Sequence, residues 1–165
     1  MTMRARLFAG AAAGIIAGLV FGVMMQMMTA PTPDGGRMPM MAMVAMVVGS
    51  QSLAVGWLYH LFNSAVIGAL FGALPGGRAL SYGSGAALGA AWGGVWWVLG
   101  ALILMPILLG MPVFASLRMP PMRPVALGSL MGHLVFGVIL GTAYVRFWRP
   151  GDAAVAGARP GGMAR

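Results

Sequence analysis

The chain has 165 residues, 60% of them hydrophobic and only 7% charged, with 27 Gly, 17 Met, no Cys and a formal net charge of +8. Water-soluble domains carry about 25% charged residues, so this composition excludes an ordinary soluble globule and equally a charged disordered chain. Without cysteine there are no disulfides, no thiol catalysis and no thiolate metal sites.

All ten basic residues are arginines, at positions 4, 6, 37, 78, 118, 123, 146, 149, 159 and 165. They stand before, between and after long apolar runs rather than in one patch. That is the charge pattern of membrane loops and not of a nucleic-acid surface.

In chain order, the first apolar run covers Leu7 to Met28, with Arg4 and Arg6 ahead of it. A basic start and an apolar stretch also mark a signal peptide, but this run is about 22 residues long, enough to span a bilayer. It lacks a convincing A-x-A cleavage site, so it reads as a retained first span. Thr29-Ala-Pro-Thr-Pro-Asp-Gly-Gly36 closes it as a turn-rich loop. From Met38 to Leu74 the chain is apolar except at Gly49-Ser50-Gln51-Ser52. One helix of that length would reach about 55 Å, so the preferred division is a short interfacial or re-entrant piece at 39–48 and a second span at 53–74. One long tilted helix is the alternative.

Pro75-Gly-Gly-Arg78 and Ser81-Tyr-Gly-Ser-Gly85 form the next connection. A third span follows at 86–109, with a kink expected at Pro106, whose ring displaces the carbonyl one turn back. The proline-rich stretch 110–124 reads as a stiff surface loop. The fourth span covers 125–147. Residues 1–151 thus form a single transmembrane helical domain, and 152–165 form a disordered tail. Counting arginines at the ends favours both termini in the cytoplasm.

Gly10, Gly14, Gly18 and Gly22 recur at intervals of four and share one helix face. Such rows let a neighbouring backbone approach closely where lipid supplies no hydrophobic drive. Ser64, Gly68 and Gly72 continue the interval in the second span, and Gly85, Gly89 and Gly93 in the third. Gly137 and Gly141 continue it in the fourth. These residues are read as helix-packing seams within the chain or across an oligomer.

The two histidines sit in related settings. His60 is followed by Ser64 and Gly68, and His133 by Gly137 and Gly141, as if spans one and two had been duplicated into three and four. Both fall near the start of spans that run in the same direction, which places them at similar depth. The plain expectation is that each imidazole makes a hydrogen bond across a seam, with Asn63, Ser64, Gln51 or Tyr144 as candidate partners. The alternative makes His60 and His133 axial ligands to a haem or other tetrapyrrole, although helices packed tightly through glycine would leave a ring no room. A proton or ion path would need acidic partners, and Asp34 and Asp152 lie outside the spans.

Met24, Met25, Met27 and Met28 face Met38, Met40, Met41, Met43 and Met46 across a short loop. Thioethers bind Cu(I), but no sharply spaced set joins them to histidine, so flexible packing is the reading and no metal site is assigned. Trp148 beside Arg146 and Arg149 suits an interface belt, and Trp96-Trp97 a protein or lipid contact.

The segments Gly94-Val-Trp-Trp-Val-Leu-Gly-Ala-Leu-Ile-Leu-Met-Pro106, Gly110-Met-Pro112 and Gly132-His-Leu-Val-Phe-Gly-Val-Ile-Leu-Gly141 resemble those of small multi-span prokaryotic inner-membrane proteins. The resemblance implies an inner-membrane location and brings no catalytic residues. The expectation is therefore an all-α, polytopic bundle of four spans in the lipid bilayer. It would act as a structural or accessory subunit, alone, as a homo-oligomer or within a membrane complex. A tetrapyrrole-binding electron-transfer subunit and a small transporter or channel are the alternatives. No nucleophile and acid converge as an enzyme would require.

Overall fold

A computed structural model describes residues 2–32, 34–79 and 81–148. Four helices are long and apolar enough to cross a membrane, and the chain is an all-α, multi-pass membrane protein. The expected tail at 152–165 and the side chain of Trp148 lie outside the described residues.

The first span is α1, Met3–Met27, opened by Thr2, whose hydroxyl accepts from the Ala5 amide at 3.3 Å. The turn-rich loop after it is more ordered than expected. Thr29–Pro31 (β1) and Arg37–Pro39 (β2) pair antiparallel, Ala30 opposite Met38, and the Arg37 guanidinium donates to the Thr29 hydroxyl at 2.8 Å and to its carbonyl at 3.1 Å. The hairpin delivers the chain into α2, Met40–Met46. Seven residues rise about 10 Å, too little to cross a bilayer. All of Met40 to Ala45 is buried, so α2 packs over one end of the bundle, against α1 and α3. Gly49, with φ of +72°, turns the chain out of it. A continuous helix through 38–74 is thereby excluded.

The second span, α3, covers Leu53–Ala73. The third begins at Tyr82, earlier than the apolar run suggested, because Ser81 and Ser84 form a capping box that satisfies the first amides. It runs as α4, Tyr82–Trp96, then as a π-helical stretch over Trp97–Leu104, and ends as α5, Met105–Leu108. In place of a simple kink, Pro106 is preceded by this widened stretch. Proline has no N–H to give the Leu102 carbonyl, and the Phe114 amide takes that carbonyl instead, at 2.7 Å.

That bond folds back the stretch expected to be a surface loop. It contains α6, Ala115–Arg118, and a 3₁₀ turn at Pro120–Met122, with Ala115 and Met122 buried. The fourth span, α7, covers Arg123–Trp148.

The four spans assemble as two helical hairpins. α1 packs along α3, α4 packs along α7, and α1 joins the two pairs by packing on α7. The third span shares little contact with α3; Trp92 links them, its indole N–H donating to the Ile67 carbonyl at 3.2 Å and its ring meeting Phe71 edge-on at 6.3 Å between centroids.

Candidate functional site

The glycine rows form the two intrahairpin seams. A Cβ at Gly10 would collide with the Gly68 carbonyl, one at Gly14 with the Ser64 carbonyl, and one at Gly18 with the Ser64 side chain. Gly22 abuts the Trp57 ring, and Gly72 the Arg6 carbonyl. In the other hairpin Gly85 meets Gly141, Gly89 meets Gly137, and Gly93 meets the His133 carbonyl. Gly10, Gly14 and Gly18 therefore face Gly68, Ser64 and the His60 turn just as Gly85, Gly89 and Gly93 face Gly141, Gly137 and the His133 turn.

Because each seam closes within a hairpin, space is left between the hairpins. A cavity of about 240 Å³ lies there, walled by α1, α3, the third span and α7 and covered by Met40, Val44 and Val47 of the α2 segment. Both histidines line it. Tight glycine packing and an internal space are thus compatible, since they occupy different sides of the same helices.

His60 Nε2 donates to the Gly18 carbonyl at 2.9 Å, and the Ser64 hydroxyl donates to the His60 carbonyl at 2.8 Å. His133 Nδ1 donates to the Ser129 carbonyl at 2.7 Å. The partners are backbone carbonyls, not the side chains named from the sequence. A carbonyl only accepts, so each neutral ring keeps a lone pair on its other nitrogen, Nδ1 of His60 and Nε2 of His133. Between the rings stands Phe21, 5% exposed, in edge contact with both, at centroid distances of 5.5 Å to His60 and 4.9 Å to His133.

Tyr59, Asn63, Ser64, Ser129 and Trp96 complete the polar part of an otherwise apolar wall. Among the described residues no Arg or Asp lines it. Three described indoles have partners for their N–H: Trp57 donates to Gln26, Trp92 to Ile67 and Trp97 to Ala126. Trp96 Nε1 is buried with no partner. Trp96 lines the cavity with other atoms of its ring, its Nε1 being closed off by the surrounding protein.

Met25, Met28, Met40 and Met105 also line the space. Among the described residues no three His, Cys, Asp or Glu side chains come together as a metal set. Phe21 and Trp96 were not singled out by sequence reading. The signal that could have found them is their position, each three residues beyond a matching seam glycine, Gly18 and Gly93.

Comparison with protein-family models, with curated proteins and with solved structures finds no match to this chain.

Proposed function

We propose that this membrane protein works by holding a small guest molecule between its two helical hairpins, as a binding or accessory subunit without a reaction centre of its own. The observation that carries the reading is that His60 and His133, one from each hairpin, wall one cavity of about 240 Å³ that no charged side chain among the described residues lines. A concave, mostly apolar space with a few convergent polar groups is the form that ligand sites take.

A tetrapyrrole held between the histidines would require the Phe21 ring to leave its place against both of them. A small guest requires no such movement. An absorption spectrum of protein taken gently from its native membrane separates the two: a Soret band that disappears in both His60→Ala and His133→Ala favours the tetrapyrrole, and a colourless sample favours the small guest.

We place the chain in a prokaryotic inner membrane with both termini cytoplasmic. Arg4, Arg6, Arg78 and Arg146 mark the end where α1 begins, against Arg37, Arg118 and Arg123 at the other, and positive charge favours the cytoplasmic side.

The test of the guest reading is mass spectrometry of solvent extracts from purified wild-type protein and from Gly100→Leu. Gly100 lines the cavity, and a Cβ there meets nothing within 4 Å, so leucine fills the space without disturbing a seam. Wild-type protein should retain a compound that Gly100→Leu lacks. Identical extracts would contradict the proposal.

A further inference from the structure

We infer that the guest is an uncharged, lipid-soluble molecule whose head donates a hydrogen bond, and that the free imidazole nitrogens of His60 and His133 accept it. This rests on the reading that the cavity holds a guest at all.

The donor follows from the histidines. His60 uses its N–H at Nε2 on the Gly18 carbonyl, and His133 uses its N–H at Nδ1 on the Ser129 carbonyl. The lone pairs at His60 Nδ1 and His133 Nε2 are left over, and among the described residues neither meets a donor. Neither atom is closed off. The buried side-chain nitrogens and oxygens without a partner are Arg6 Nε, Trp96 Nε1 and Ser116 Oγ, and these two imidazole nitrogens are not among them. Gly18, Phe21 and Trp57 pack on the His60 ring and Phe21 on the His133 ring. Both rings wall the space between the hairpins, and from that side the free nitrogens are reached. An acceptor taken out of water without a donor is unfavourable. What meets an imidazole lone pair is an O–H or N–H, never a carbonyl or an ether.

Charge and size narrow the rest of the head. An ionic head would lose its water without a counter-charge, since among the described residues no Arg or Asp lines the wall. Benzene fits an apolar cavity of about 150 Å³, so a space of about 240 Å³ takes one substituted ring. The source is the bilayer. Val66 of α3 and Leu104 and Leu108 of the third span belong to the cavity wall and are also 41%, 48% and 56% exposed on a bundle whose outer surface meets lipid.

The test measures equilibrium binding of radiolabelled 4-decylphenol, 4-decylanisole and decylbenzene to the full chain in lipid nanodiscs, with empty nanodiscs as background. The phenol donates, the anisole only accepts, and decylbenzene does neither. The phenol should bind saturably, one per chain and about tenfold more tightly than either of the others, the equivalent of one hydrogen bond. Replacing both histidines, His60→Phe together with His133→Phe, should bring the phenol to the affinity of decylbenzene, whose own retained binding shows that the variant is folded. Should that variant not fold, the comparison of phenol with anisole on wild-type protein decides. Gly100→Leu should abolish binding of all three, while Gly94→Leu, at an open position off the cavity wall, should bind as wild type. Anisole bound as tightly as the phenol, or a preference for the phenol that survives the loss of both histidines, would overturn the donor-bearing class and leave the guest reading standing. No saturable binding of any probe would overturn the class as well, and with extracts of Gly100→Leu matching wild type it would overturn the guest reading too.

Discussion

Phe21 and Trp96 hold corresponding places in the two hairpins, each three residues past a matching seam glycine, Gly18 and Gly93, and each lining the same cavity. Their duties differ. Phe21 is committed, in edge contact with both histidines, while Trp96 touches Trp92 at 6.2 Å between centroids and leaves its N–H unpaired. One position braces the two halves and the other packs against its own helix.

The seams should tolerate no side chain. At Gly89 a Cβ would run into the Gly137 backbone, which cannot move without separating α4 from α7. Gly89→Leu should therefore destabilise the protein by at least the 1–3 kcal/mol of ordinary overpacking, while Gly94→Leu, in open space, should be neutral. Unfolding in mixed micelles followed by circular dichroism checks this; equal stability of the two variants would remove the seam from the account.

His60 ties α3 to α1 through the Gly18 carbonyl. Interhelical hydrogen bonds of this kind contribute about 0.6 kcal/mol on average and at most about 1.7 kcal/mol in membrane proteins. His60→Phe should lower stability within that range and His133→Phe by less, because the His133 bond closes on its own helix at Ser129. Denaturant titration of both variants gives the order.

The widened turn before Pro106 should depend on that proline. Pro106→Ala restores an amide that competes with Phe114 for the Leu102 carbonyl. The stretch over Trp97–Leu104 should then tighten toward regular α-helix and turn Gly100 away from the cavity. Thiol labelling of Gly100→Cys with a lipid-soluble maleimide should slow in the Pro106→Ala background; an unchanged rate would detach the π-helical geometry from Pro106.

Because the chain has no cysteine, single cysteines report topology cleanly. Asp34→Cys in the β-hairpin turn should react with a membrane-impermeant maleimide added to intact cells, and Arg78→Cys only after the membrane is opened. The reverse pattern would invert the orientation proposed here.

Four spans, their order and their glycine faces were legible because apolar length and a four-residue interval are local properties of sequence. The similar settings of His60 and His133 also suggested two related halves. What was not legible depends on the third dimension. The Leu102 carbonyl is satisfied by Phe114 from a later segment, and that contact ties down a proline-rich stretch that is otherwise the exposed surface connection its composition suggested. The Ser81 and Ser84 capping box set the start of the third span ahead of its apolar run. Trp96 and Trp97 are adjacent and alike in sequence, yet one bonds Ala126 and the other looks into the cavity; only the rotation of the helix separates them. The histidine partners were misplaced because polar side chains are visible in a sequence while a close backbone carbonyl is not.

The central claim is that the space between the hairpins is occupied in the membrane. The most direct measurement is a crystal structure of the full chain grown from a lipidic phase in native lipid extract. The account predicts non-protein density in the space lined by His60, His133 and Gly100. A space closed by the rings of Phe21 and Trp96 packing into it, with no such density, would contradict it.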